Sequence, residues 1–243
     1  MKKLFIAGAI LIFISCNQAQ EKVSDTAILI SNVTVIDVIT GELLPDRQMV
    51  IDSGKIKKIA VSLENEEVYK TIIDGQGKYA LPGLAEMHAH IPSPPASKER
   101  TEETLFLYLS NGITTIRGML GHPSHLELRI AAERGELLSP RIFTSSPSLN
   151  GNSVTSAEEA MEKVIAYKNE GYDFLKIHPG IKRDVFDELV KTANESGISF
   201  SGHVPVDVGI EHALESKYAS IDHVDGFLEG LVPKSEKVNP NEN

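Results

Sequence analysis

Three groups of residues in this chain have the type and spacing to do chemistry. The first is His88-Ala89-His90, which follows the apolar entry Leu81-Pro82-Gly83-Leu84. Side chains on a strand alternate with period two, so His88 and His90 project from one face and can converge on one metal ion. The second is Lys176 in Phe174-Leu175-Lys176-Ile177-His178. Strand parity puts Phe174, Lys176 and His178 on one face, with Leu175 and Ile177 on the other. The third is a pair of histidines, His203 after Gly202 and His223 after Asp222, each ending an apolar strand-like run. Taken alone, the His88/His90 pair also reads as two polar residues at a strand end, and Lys176 as a lysine reaching solvent. The elements that carry them decide between these readings.

Residues 27–79 carry β-branched runs broken by tight turns at Thr40-Gly41-Glu42, Asp52-Ser53-Gly54 and Asp74-Gly75-Gln76-Gly77, a hairpin-rich pattern. After Pro82 the period changes. Strands are expected at 84–90, 113–117, 141–144, 174–178, 198–203 and 220–224. Helices are expected between them, at about 102–110, 124–134, 156–169, 184–196 and 208–215. Ser156-Ala157-Glu158-Glu159 has capping-box spacing, and Gly197 stands just past a helix end.

Alternation of this kind predicts a parallel sheet with crossover helices, either doubly wound or closed as a (β/α)8 barrel. His88 and His90 end the first strand, Lys176 lies in the fourth, His203 ends the fifth and His223 the sixth. An open sheet spreads those strand ends apart, whereas a barrel gathers them at one mouth, so the fold class expected is α/β of TIM-barrel type.

The ordered set resembles the amidohydrolase superfamily of metal-dependent hydrolases, in its imidazolonepropionase- and prolidase-like branch. The residues that carry the resemblance are Gly54-Lys55-Ile56, Asp74-Gly75, Leu81-Pro82-Gly83-Leu84, His88 and His90, Asn111-Gly112-Ile113-Thr114-Thr115, Asp173 through Ile177, Gly202-His203 and Asp222-His223. They span residues 27–232, and Glu86 stands where the pattern often has aspartate. The resemblance implies two divalent metal ions, with zinc favoured by the ligand types. His88 and His90 would hold the more buried ion, His203 and His223 the more exposed one, and a carbamylated Lys176 would bridge them. It further implies hydroxide attack on a carbon-nitrogen bond of a small amide, cyclic amide or dipeptide-like substrate. His178 and Arg117 are candidate substrate contacts, Arg117 as a bidentate partner for a carboxylate or as a salt bridge at the barrel rim. His122, His125 and His212 are expected at the solvated surface, and residues 146–152 as a loop over the mouth.

Met1-Lys2-Lys3 followed by an apolar run over residues 4–14 has the form of a signal peptide, too short for a bilayer span. Ser15-Cys16 at its end is similar to a bacterial lipobox, with Cys16 as the acylated residue and the sole cysteine of the chain. The expected layout is a signal peptide over 1–15, a lipidated tether over 16–26, an incomplete small β-sandwich segment over 27–80, a partial hydrolase barrel over 81–232 and a polar tail over 233–243. The product is expected to be exported and anchored to a membrane of the cell envelope. The 24 basic residues less Lys2 and Lys3 leave 22 against 34 acidic ones, moving the net charge from −10 to −12 and arguing against nucleic acid as a partner.

Only nineteen residues follow Val224, whereas two further barrel units need about 60. Six of eight βα units are expected, without the strand-eight aspartate that serves relatives as general base. Two functions follow: part of a binuclear metal hydrolase that is inactive alone, or a non-catalytic envelope lipoprotein binding metal or a partner. The unpaired barrel edges favour completion by another chain or by a second copy.

Overall fold

The computed structural model describes residues 26–63, 69–233 and 235–236. The expected signal segment, Cys16 and most of the polar tail lie outside the described residues. No helix among the described residues is long and apolar enough to cross a membrane. The chain divides into two compact units, one up to Pro82 and one from Gly83.

The first unit contains β1 (Ile28–Ile36), β2 (Leu43–Asp52), β3 (Lys55–Ala60), β4 (Thr71–Asp74) and β5 (Tyr79–Ala80). They form one five-stranded sheet in the order β3-β2-β1-β4, with β5 also pairing β1. The β2–β3 hairpin turns through Ser53 and Gly54, both with positive φ (51° and 70°), as a two-residue hairpin loop requires. Leu29 and Val33 are buried, while Ile56, Ile72 and Ile73 are exposed, so the described residues form one sheet rather than the two facing layers of a sandwich.

The second unit alternates β6 (Leu84–Ala89), α1 (Lys98–Ser110), β7 (Ile113–Gly118), α2 (Pro123–Glu133), β8 (Arg141–Leu149), α3 (Ala157–Glu170), β9 (Phe174–Ile177), α4 (Arg183–Ser196), β10 (Ser199–Gly202), α5 (Ile210–Glu215), β11 (Ser220–Ile221) and α6 (Phe227–Leu231). The six strands form one sheet in sequence order, parallel throughout, which is the partial (β/α) barrel expected. The α3 cap is as expected at Ser156, whose Oγ accepts from Glu159 N, but the Glu159 carboxylate bonds Thr155 rather than Ser156. Gly197 closes α4 in the left-handed region.

Strand parity sorts the core. Leu175 and Ile177 turn toward the helices and pack with Val164, Phe186 and Leu189, each fully buried and contributing about 2 kcal/mol. Among the boundaries that differ from the sequence expectation, two bear on the site. β8 runs on through Leu149, because the hydroxyls of Ser145 and Ser146 find backbone carbonyls and both side chains are buried; residues 146–149 are strand, not loop. β11 stops at Ile221 because His223 and Val224 take positive φ (55° and 63°), turning the chain out of the sheet.

Candidate metal centre

His88 belongs to β6 and His90 follows it, and their rings lie 5.3 Å apart on the same face. The His88 backbone N–H is held by the Glu86 carboxylate at 2.8 Å, giving the variant residue before the histidine pair a definite contact. Across the sheet the His223 ring lies 4.8 Å from His88 and 4.9 Å from His203, which in turn stacks on His178 at 5.0 Å. The five histidines singled out at the strand ends thus form one continuous group.

Lys176 is almost completely buried, on the opposite side of β9 from Leu175 and Ile177. Its Nζ donates to the Asp222 carboxylate, and the other Asp222 oxygen lies 3.6 Å from His88 Nδ1. Burial pulls the Lys176 ammonium below the ordinary lysine range, opposed by the bond to Asp222. Desolvation likewise lowers the pKa of His88 and His203, and takes His178 down to about 4. These imidazoles are therefore neutral at neutral pH, with a nitrogen lone pair to offer.

The tightest donor group among the described residues is His88, Asp222 and His223, whose ligand atoms all lie within 4.8 Å of one another. His90 and His203 stand beside that trio rather than within it. His203 instead directs Nδ1 to the Asp225 carboxylate at 2.7 Å, and its carbonyl accepts from the Tyr218 hydroxyl at 2.9 Å. Gly202 positions it: with φ at 139°, a Cβ there would meet the Ile177 carbonyl oxygen at 2.1 Å. A cavity of about 610 Å³ opens beside His203 and His223, walled by Val204, Val208, Ile210 and Leu228.

Sequence reasoning missed Asp222 and Asp225 as site residues. If His223 faces inward, simple alternation turns Asp222 away. The two positive-φ residues break that alternation and bring both carboxylates to the histidines. The Asp222-His223 dipeptide was visible as a motif, but nothing in the sequence signals the backbone turn.

Other expectations need correction. Arg117 directs its Nε to the Met87 carbonyl at 2.8 Å and a terminal nitrogen to Ser220 Oγ at 2.9 Å, so its fork is used inside the sheet rather than at the rim. His125 is fully buried instead of solvated. His122, half-buried, caps α2 by accepting from Ser124 N, and His212 is held between Asp187 and Arg183.

Residues 79–233, well over half the chain, match the amidohydrolase family. The chain belongs to that family. Adenine deaminase 2 of Shouchella clausii is 38% identical over 89 residues, covering 36% of this chain and 15% of that protein. A dihydroorotase of Caldanaerobacter subterraneus subsp. tengcongensis is 25% identical over 206 residues, 76% of this chain and 46% of its own length. Among solved structures, a prolidase complexed with N-methylphosphonate-L-proline superposes with a TM-score of 0.69 at 20% identity, covering 81% of this chain and 60% of that one. The amidohydrolase chain described here therefore spans less than half the length of both curated relatives, and the solved structure supports the fold.

Proposed function

We propose that this unit holds divalent metal for the hydrolysis of a carbon-nitrogen bond. The observation that carries the reading is the convergence of His88, Asp222 and His223 within 4.8 Å, with His90, Lys176 and His203 around them. The donor set fits a divalent cation: imidazoles and a carboxylate suit zinc, and the buried Asp222 supplies the negative charge that a cation needs beside it. His88, His90, His203 and His223 would hold the metal, with Lys176 as the bridge after carbamylation, which converts a donor-only ammonium into an oxygen ligand. When bound, divalent metal supplies Lewis acidity, polarising a scissile carbonyl and activating water near neutral pH.

The chain's own residues do the rest. Asp222 holds Lys176 and lies against His88, which keeps the two strands' donors in register. The Asp225 carboxylate accepts from His203 Nδ1–H, which fixes the proton there and leaves Nε2 as that ring's free donor atom. Burial of Lys176 excludes water from the lower side of the group. The cavity beside His203 and His223, with its valine, isoleucine and leucine walls, suits an apolar substituent of the substrate. His178, stacked on His203 and with an unpartnered Nδ1, is the residue this reading takes as a substrate contact.

The test is hydrolysis of a panel of N-acyl amino acids, dipeptides and cyclic amides before and after metal removal by chelation. Metal-dependent turnover that zinc restores supports the reading and overturns the expectation that this chain is inactive alone. Turnover that survives chelation, or that survives His88→Ala, contradicts it.

A further inference from the structure

Arg117 does something that no catalytic or ligand role explains. It rises from β7, the second strand of the parallel sheet, and donates hydrogen bonds to both of the sheet's edge strands. Nε donates to the carbonyl of Met87 in β6 at 2.8 Å, and a terminal nitrogen donates to the Ser220 hydroxyl in β11 at 2.9 Å. Its guanidinium carbon also lies 5.5 Å from the centre of the Phe174 ring in β9. Among the described residues β6 and β11 are the ends of the sheet, with four strands between them and no shared backbone ladder. Met87 immediately precedes His88, and Ser220 lies two residues before Asp222.

We propose that Arg117 is a positioning residue, a cross-sheet strut that sets the separation of the two metal-donor strands from below. The proposal rests on the reading of His88, beside Met87, and His223, just past Ser220, as metal donors. The chemistry requires arginine: a planar fork can donate in two directions at once from one rigid group, whereas a lysine ammonium on a flexible stem fixes neither direction. The Phe174 ring gives that fork a surface to rest on, an arrangement that favours guanidinium. The curl that brings β11 round to face β6 is then held by a side chain inside the sheet, as well as by helix packing outside it.

The experiment compares wild type, Arg117→Ala, Arg117→Lys and Ser220→Ala by zinc competition against a chromophoric chelator. Arg117→Ala is expected to weaken zinc by about 10- to 100-fold, the usual cost of removing a support behind metal ligands. Guanidinium ion at low millimolar concentration is expected to restore binding to Arg117→Ala, and Arg117→Lys to remain weak. Ser220→Ala removes only one acceptor, so it stays informative if the arginine variants do not fold; it too is expected to bind zinc more weakly. Hydrogen exchange on the metal-free protein reads the strut without any metal. Faster exchange in the Arg117 variants at residues 87–89 and 220–222, with β8 and β9 unchanged, is the result expected. Wild-type zinc affinity in Arg117→Lys or Ser220→Ala, or unchanged exchange at both edges, would overturn the proposal. Failure of wild type itself to bind zinc would instead overturn the metal reading, leaving the exchange data to judge the strut.

Discussion

Asp222 carries two duties at once, as the partner of the buried Lys176 and as the carboxylate 3.6 Å from the His88 ring. Removing one member of a buried pair strands the other, so Asp222→Ala is expected to destabilise the fold by about 3 kcal/mol in urea unfolding. Adding Lys176→Met is expected to recover most of that loss without restoring zinc affinity, which separates the structural duty from the ligand environment. His125 gives a different residue-scale prediction. Burial, with His122 nearby, lowers its pKa from 6.5 to about 4, against a weaker opposing pull from the carbonyls of Ile91 and Pro92. Above about pH 6.5 the ring is neutral in both states and adds no pH dependence. As pH falls from about 6.5 to about 4 the unfolded chain takes up a proton that the folded one refuses, so stability falls by up to about 3 kcal/mol and then levels. Unfolding of His125→Leu across the same range is expected to lack that component; identical slopes would show that His125 is not the group responsible. At this scale His88, His90 and Lys176 were legible because alternation on strands is a local rule, and His203 and His223 because each closes a strand-like run. Asp222 and Asp225 were not, because they reach the histidines through left-handed backbone at His223 and Val224.

Helix ends and strand starts follow local chemistry, and most could be read directly. Ser156 caps α3 through Glu159 N, and Ser156→Ala is expected to cost about 1 kcal/mol by urea unfolding. Gly202 is the harsher case, because an added Cβ meets the β9 backbone itself, which cannot give way as a flexible side chain can. Gly202→Ala is expected to cost about 3 kcal/mol or more and to displace His203, seen as a loss of both the unfolding midpoint and zinc affinity. The misread elements share a cause. The serine- and proline-containing end of β8 has loop composition, yet the pairing of Ser148 and Leu149 with β9 makes it strand. β11 has strand composition, yet the turn after it ends the ladder at two residues. Tertiary contacts outweighed local propensity in both directions.

For the whole molecule, the topology was the most legible feature: six apolar runs alternating with helical ones leave few alternatives to a parallel sheet of barrel type. What could not be read was the distance between strands far apart in sequence order, because no period or spacing encodes it. Arg117 shows why: its type suggested a substrate anchor, and only the folded sheet reveals that one hydrogen bond goes to the neighbouring strand β6 and the other across to Ser220 in β11. The formal charge of −10 adds a global term that favours approach of cations over anions, so zinc association is expected to slow as ionic strength rises.

The measurement that bears most directly on the central claim is titration of the metal-free protein with cobalt(II), followed by its visible absorption, for wild type and for His88→Ala and His223→Ala. The account predicts saturable binding with a spectrum of nitrogen- and oxygen-ligated cobalt in wild type, and loss of that signal in both variants although each stays folded. No saturable signal in wild type, or the same signal in both variants, would contradict it.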